Sequence, residues 1–533
     1  MEKAFEMGKS SATGSLHLLI GVVTSTVIMA VGSIILTRLM SPAEYGLYGV
    51  ALIPSYMIVL FRDWGVNSAM TRFIANFKAA NKDTETRDII LAGLAFEAAT
   101  GLILSFLSFF SANYIASTIF HRPESAFFIS IVSVTIFSGS LLTAVQSSFI
   151  GFEKMGLNSL TLICQSIVKA VSGPLLFILG YSVLGAVMGY TLSFLAAAIM
   201  SLIILYFGLF RPLRSPKSGK PQISKTLKAM MKYGVPLSLS SLLTGLLIQF
   251  YSFVMVSFAT DVMIGNYQAA VNFSVLLTFF TIPISTVLFP AFAKLDPNKE
   301  PELLKTIFAS STKYTSMLLI PATMAIMVLS GPLISTLFGE RYSNAPFFLT
   351  LYVIGNLFCV LGNISLGSLL SGLGETKIAM KQSILTLFVG LPLGFLLIPS
   401  FGILGVIIAI ILSSLPSMSW GLYWVWKHYQ VKPDFKSSAK IIAASTTAAI
   451  MAFASVAFLH FSESIRLTIG ITVFLAIYIF SAPMIGAITL YDINNLRTML
   501  SGLGAISKIL NLPLILVEKV TILCAQAKKN MRR

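Results

Sequence analysis

Charge is what this sequence has least of. Only 11% of its 533 residues are Asp, Glu, Lys or Arg, while 56% are hydrophobic. Soluble domains carry roughly a quarter charged residues, so a chain of this length could not cover a water-facing surface with so few. Lipid must be its main solvent, and the expected fold is an all-α polytopic membrane protein. No stretch between the apolar runs is long enough to fold as a soluble domain. Cysteine is scarce too. Cys164 and Cys359 lie in apolar runs and Cys524 in a basic tail, so neither a disulfide nor a metal site is indicated. The four histidines, His17, His121, His428 and His460, are scattered. With no nucleophile–base pair and no phosphate-binding loop, an enzyme and a bound cofactor are not expected. The first apolar run, from about Leu16 to Met40, is too long for a signal h-region, and no small-residue cleavage site follows it.

Long apolar runs are what the sequence does have. A spanning helix needs about twenty mainly apolar residues. About fourteen such segments can be placed, near 16–38, 45–64, 88–111, 126–150, 157–180, 183–209, 235–258, 264–290, 314–338, 346–370, 380–399, 402–426, 438–460 and 466–490. With the N-terminus inside, 32 of the 37 Lys and Arg fall on inner segments. Four (Arg38, Arg122, Arg341, Arg466) fall outside, and Lys169 lies within a span. That bias satisfies the positive-inside rule and puts both termini in the cytoplasm of a cell-membrane protein. The net charge of +17 is then topology and contact with anionic lipid. Basic residues spread over eight segments do not make a nucleic-acid surface. The expected organisation is a six-helix lobe (1–210), a basic cytoplasmic linker (211–233), a second six-helix lobe (234–427) and helices thirteen and fourteen (428–490). A basic interfacial tail (491–533) follows. A monomer is expected.

The two six-helix segments resemble each other. Gly46-Leu47-Tyr48-Gly49-Val50-Ala51 lies over Gly265-Asn266-Tyr267-Gln268-Ala269-Ala270, 219 positions on. Leu184-Gly185 lies over Leu404-Gly405, and Gly151 over Gly372, each of those glycines being followed by an acid and a Lys. Six helices per half is an even number, so both halves share one orientation. The repeat axis should run along the membrane normal, with a site between the halves near the midplane.

The stretch Thr37-Arg38-Leu39-Met40-Ser41-Pro42-Ala43-Glu44-Tyr45-Gly46 is the most distinctive. Pro42 should stop one helix, Gly46 allow close packing at the next, and Arg38 and Glu44 can pair. Together with Gly265-Asn266-Tyr267, Pro283-Ile284-Ser285, Phe289-Pro290 and Ser371-Gly372-Leu373-Gly374-Glu375, it resembles the multidrug/oligosaccharidyl-lipid/polysaccharide exporter superfamily. The polysaccharide transporter branch is the nearer likeness, and it extends over about residues 14–426. The resemblance implies two lobes alternating between inward- and outward-open states, and a lipid-linked oligosaccharide as substrate. Arg38, Pro42, Glu44, Gly46, Gly265 and Tyr267 are carried over as structural positions of its motifs.

Ionisable groups at membrane depth are functional suspects. Glu97 and Lys169 both fall near mid-span; they can pair with each other or face a cavity. Arg62 and Asp63 end the second span, with Arg72 close behind. The second half has Gln249, Asn272 and Asn356 instead of buried charge. Cations on one side and amides on the other suit a phosphate-linked saccharide on a polyprenyl carrier. A cation-coupled drug exporter is the alternative, disfavoured by the span count and by the lack of a carboxylate in Leu16–Thr37. Coupling to Na+ or H+ is left open.

Overall fold

In the computed structural model, residues 2–213, 223–274, 277, 281, 288, 292–458, 461–501, 515–523 and 526 are described, with side chains from Ile20 onward. His460, Cys524, the Pro283 and Phe289 motifs and the middle of the basic linker lie outside them. The described residues are mainly helical, with short turns between the helices and no strand among them. They divide into two compact units, Met1–Gln268 with Leu387–Ala409, and Ala269–Thr386 with Ile410–Arg533.

The first unit holds α1 (Glu2–Leu39), α2 (Pro42–Val59), α3 (Val66–Ala79), α4 (Asp83–Tyr114), α5 (Ser125–Gly151), α6 (Met155–Leu176), α7 (Ser182–Ile204), α8 (Ile223–Phe258) and the start of α9 (Asp261–Ser274). The motif at residue 41 forms a reciprocal cap. Ser41 N donates to Glu44 Oε2 at 2.8 Å, Glu44 N donates to Ser41 Oγ at 3.3 Å, and Pro42 opens the helix. The expected Arg38–Glu44 pair therefore gives way to local capping. Glu44 faces Ser41 and Ser182, while Arg38 is exposed and in no ion pair among the described residues.

A loop expected after the second span is instead the amphipathic α3. Val66, Ala69, Met70 and Ile74 recur at helical spacing and are buried, with Arg72 and Lys78 on the outer face. The run Met155–Phe210 is apolar over 56 residues. At 1.5 Å per residue that is about 84 Å, far more than a bilayer core. Gly180, at φ +94°, and Ser182, at φ +48°, break it into α6 and α7, as two separate passes require.

The second unit holds α10 (Pro301–Phe338), α11 (Ala345–Val353), α12 (Asn363–Gly372), the start of α13 (Thr376–Phe401), most of α14 (Ile403–Tyr429), then α15 (Phe435–Ala457), α16 (Glu463–Ile485) and α17 (Leu490–Ser501), while the rest of α13 and the start of α14 belong to the first. The tenth expected span is not one straight helix. It runs from α11 into a 3-10 stretch, Ile354–Leu361, and restarts at α12 with a 56° bend. Gly362 sits at the bend with φ +84°, a conformation that only glycine adopts cheaply. The C-terminal tail begins docked rather than loose. Asp492 is buried against Lys313 Nζ of α10 at 2.7 Å, and Asn495 Nδ2 donates to Tyr314 Oη at 2.9 Å. Arg497 reaches Glu518, in the helical residues 515–523, at 2.6 Å.

Nine helical runs among the described residues are long and apolar enough to cross a membrane, and the bent α11–α12 pair makes a tenth. α6 and α7 share one of those runs, while α2, α8 and α9 are shorter or more polar where further passes were expected. This is a multi-pass α-helical membrane protein.

Candidate functional site

Two glycines 219 residues apart set the geometry at one end of the first unit. A Cβ added to Gly46 would overlap the Asp261 carbonyl oxygen and lie 3.0 Å from Gly265 N. A Cβ added to Gly265 would overlap the Pro42 carbonyl oxygen and lie 3.0 Å from Gly46 N. Each residue meets the repeat equivalent of what the other meets, which is the pattern of a two-fold axis passing between them. Close by, Arg122 ties the segment before α5 to the end of α8 and the start of α9. Its Nε donates to Asp261 Oδ1 at 2.5 Å, Nη1 to the carbonyls of Val256 (2.6 Å) and Phe120 (2.9 Å), and Nη2 to that of Ala259 at 2.5 Å. Val256 and Ala259 lie where α8 ends, so a cation there satisfies carbonyls that the helix leaves unpaired. Tyr267 is half-buried in the turn after Gly265.

The interior of the same unit holds the ionisable groups. Arg62 leaves the end of α2 and is 8% exposed; Glu97, near the middle of α4, is fully buried. Arg62 Nε lies 3.5 Å from Glu97 Oε2, too long for a hydrogen bond. Asn67 Nδ2 donates to Glu97 Oε1 at 2.7 Å, and Arg62 Nη2 donates to Thr143 Oγ1 at 2.9 Å. Three buried atoms of these residues have no hydrogen-bond partner: Arg62 Nε, Glu97 Oε2 and Asn67 Oδ1. Asp63 turns away. Its carboxylate accepts from Gly65 N at 2.8 Å and Asn67 N at 3.4 Å, holding the start of α3.

Lys169 of α6 does not pair with Glu97, which is taken by Arg62 and Asn67. Its Nζ lies 5.0 Å from the centre of the Tyr190 ring and has no carboxylate partner among the described residues. A cation over an aromatic face is attracted to it but keeps its charge. Tyr190 Oη donates to Tyr56 Oη at 3.3 Å, and its ring packs on Phe194 with centroids 5.1 Å apart. Phe194 and Arg62 Nη1 both approach Gly139, where an added Cβ would lie 3.3 Å from each. Lys169, Tyr190, Phe194, Gly139 and Arg62 thus form a continuous cationic, aromatic wall.

Arg72 is not on this wall; it is exposed, with its guanidinium 4.3 Å from the Tyr233 ring. Gln249 is half-buried on α8, and Asn272 is exposed on α9. In the second unit Asn356, on the 3-10 stretch, lines an open cleft of about 590 Å³ with Asn363, Thr281, Ser368 and Ser371. That lining carries amides and hydroxyls but no charge. Sequence reasoning missed Asn67, Thr143 and Tyr190. Only Asn67 had a local signal, lying one helical turn after Asp63.

Known proteins share this architecture. A solved lipid II flippase MurJ in its inward closed conformation superposes with a TM-score of 0.70 at 16% identity, covering 86% of this chain and 97% of that one. An inward-facing multidrug resistance MATE family transporter of the MOP superfamily gives 0.63 at 15%, covering 78% and 98%. In sequence, the lipopolysaccharide biosynthesis protein WzxC of Escherichia coli strain K12 is 24% identical over 402 residues, 73% of this chain and 74% of that protein. The lipid II flippase MurJ of Bacillus subtilis strain 168 is 20% identical over 410 residues, 68% and 73% respectively. Residues 11–296, more than half of the chain, match the family described as polysaccharide biosynthesis protein, and the chain belongs to that family.

Proposed function

We propose that this protein flips a lipid-linked oligosaccharide across the cell membrane, and that Arg62 and Lys169 receive its anionic phosphate-bearing headgroup. The observation that carries this reading is the wall itself, with two cations on one inner surface and Lys169 left unneutralised. An unpaired cation held in a membrane protein is costly, and an arriving anion removes that cost. Tyr56, Tyr190 and Phe194 supply faces on which sugar rings or the guanidinium can lie. The polyprenyl chain stays in the bilayer while the headgroup crosses. The relatives support the reading, since their names specify flippases and lipopolysaccharide biosynthesis. A cationic wall disfavours the cationic drugs that an exporter of the related branch would carry.

The experiment is reconstitution. Liposomes carrying a fluorescent polyprenyl diphospho-saccharide should show protein-dependent loss of inner-leaflet label. Lys169→Ala should abolish that transfer while the protein still elutes as a folded species, and Lys169→Arg should keep part of it. Full activity in Lys169→Ala would refute the assignment.

A further inference from the structure

The gap between Arg62, Glu97 and Asn67 is unfinished chemistry. A buried Arg–carboxylate pair normally closes with two parallel hydrogen bonds near 2.8 Å. Here the facing atoms stand 3.5 Å apart, and the amide oxygen of Asn67, whose Nδ2 holds the same carboxylate, is buried without a hydrogen-bond partner as well. Such orphans are rare in buried sites and expensive to keep. We infer that Glu97 is a proton-binding site whose occupancy is linked to headgroup capture by Arg62. The inference rests on the function proposed above.

The physical argument is competition for one guanidinium. Ionised Glu97 holds Arg62 by charge alone. Thr143 takes one Nη2 donor, while Nη1 faces Gly139 and makes no hydrogen bond among the described residues. A phosphate arriving at Nη1 places a second anion near the carboxylate, in a medium where like charges repel strongly. Glu97 then binds a proton more readily. As a neutral acid it keeps Asn67 on Oε1 and gains an O–H on Oε2 that can donate to Asn67 Oδ1. Arg62 is left free to serve the phosphate. The other groups around Glu97 cannot take this role. Asp63, on the turn after α2, is committed to the start of α3, and Thr143 of α5 and Asn67 of α3 are neutral. Linkage is reciprocal, so a proton on Glu97 strengthens headgroup binding by the same factor. The consequence is a lighter load, because a doubly charged headgroup moves together with one compensating proton.

Titration calorimetry in nanodiscs tests this with the unmodified protein. The probe is a short-chain isoprenyl diphosphate ester of a monosaccharide, a diester that is fully ionised near neutral pH and contributes no proton change itself. Run in buffers of different ionisation enthalpy, binding should take up as much as one proton. Affinity should fall by about tenfold per pH unit above the pH at which free Glu97 loses its proton. Glu97→Gln keeps the shape and the Asn67 contact; it should bind the probe with no proton uptake and no pH dependence. Binding without uptake in the unmodified protein would overturn the inference and leave a hydration site in the gap. Uptake that persists in Glu97→Gln would overturn it as well, by assigning the proton to another group such as Lys169. No binding in the unmodified protein would instead refute the headgroup reading itself.

Discussion

Replacing Arg122 by alanine should loosen the end of the first unit where α2 meets α9. Arg122 makes three contacts across to α8 and α9, namely the Asp261 carboxylate and the carbonyls of Val256 and Ala259. Hydrogen bonds to a charged group contribute about 1.5–3 kcal/mol each when water is excluded. Asp261 keeps 28% of its side chain exposed, so water can replace part of what it loses. Taking about 1 kcal/mol per contact gives about 3 kcal/mol, a shift of roughly 150-fold toward the parted arrangement. The assay is the labelling rate of Gln268→Cys by a membrane-impermeant maleimide, added on the face that bears His121 and Arg122. In the structure the side-chain amide of Gln268 packs on Gly49, filling the space that a Cβ there would take. Arg122→Ala should raise the rate at least tenfold. Arg122→Lys should fall between, because an ammonium presents its three donors from one point, whereas the guanidinium reaches these acceptors from three separate nitrogens. Equal rates in all three proteins, each eluting as a folded species, would refute the reasoning. Arg122 would then be a cap on α8 and nothing more.

Other outcomes follow from the same geometry. Gly265→Val should sharply reduce the yield of folded protein, since even a Cβ overlaps the Pro42 carbonyl; yields equal to the parent would contradict the crossing. Asp492→Ala strands Lys313 and should cost about 3–5 kcal/mol. Its melting temperature should drop without a change in which headgroup is bound. Tyr190→Leu removes the face beneath Lys169 and the hydrogen bond to Tyr56, and should lower transfer in the liposome assay by more than it lowers stability. Ser218→Cys, outside the described residues, should resist an impermeant reagent added to intact cells if the basic linker is cytoplasmic.

The sequence made the class of fold plain, because hydropathy over long runs reports directly on lipid as the solvent. Gly46 and Gly265, aligned by counting, turn out to touch. Side-chain partners were harder. Counting residues put Glu97 and Lys169 at similar depth but gave no rotational phase and no helix neighbours. α4 packs chiefly on α5, and α6 on α1 and α7, so the carboxylate found Arg62 and the lysine found an aromatic ring. The turn at Arg62-Asp63 carried two adjacent opposite charges, and nothing local said that one would turn inward and the other cap α3. The break in the tenth span was visible only as Gly355 and Gly362 within an apolar run, a pattern that close packing explains equally well.

The glycine crossing and the Arg122 contacts divide between them two jobs that one interface usually does together. At Gly46 and Gly265 backbone lies on backbone, and such a crossing offers only weak Cα–H···O contacts. It works as a gasket, excluding water by fit while holding almost nothing, and it has no rotamers to unlock before it lifts. Arg122 is the clasp. A single side-chain change can therefore alter how firmly this end is held, while the fit beneath it admits nothing larger than glycine.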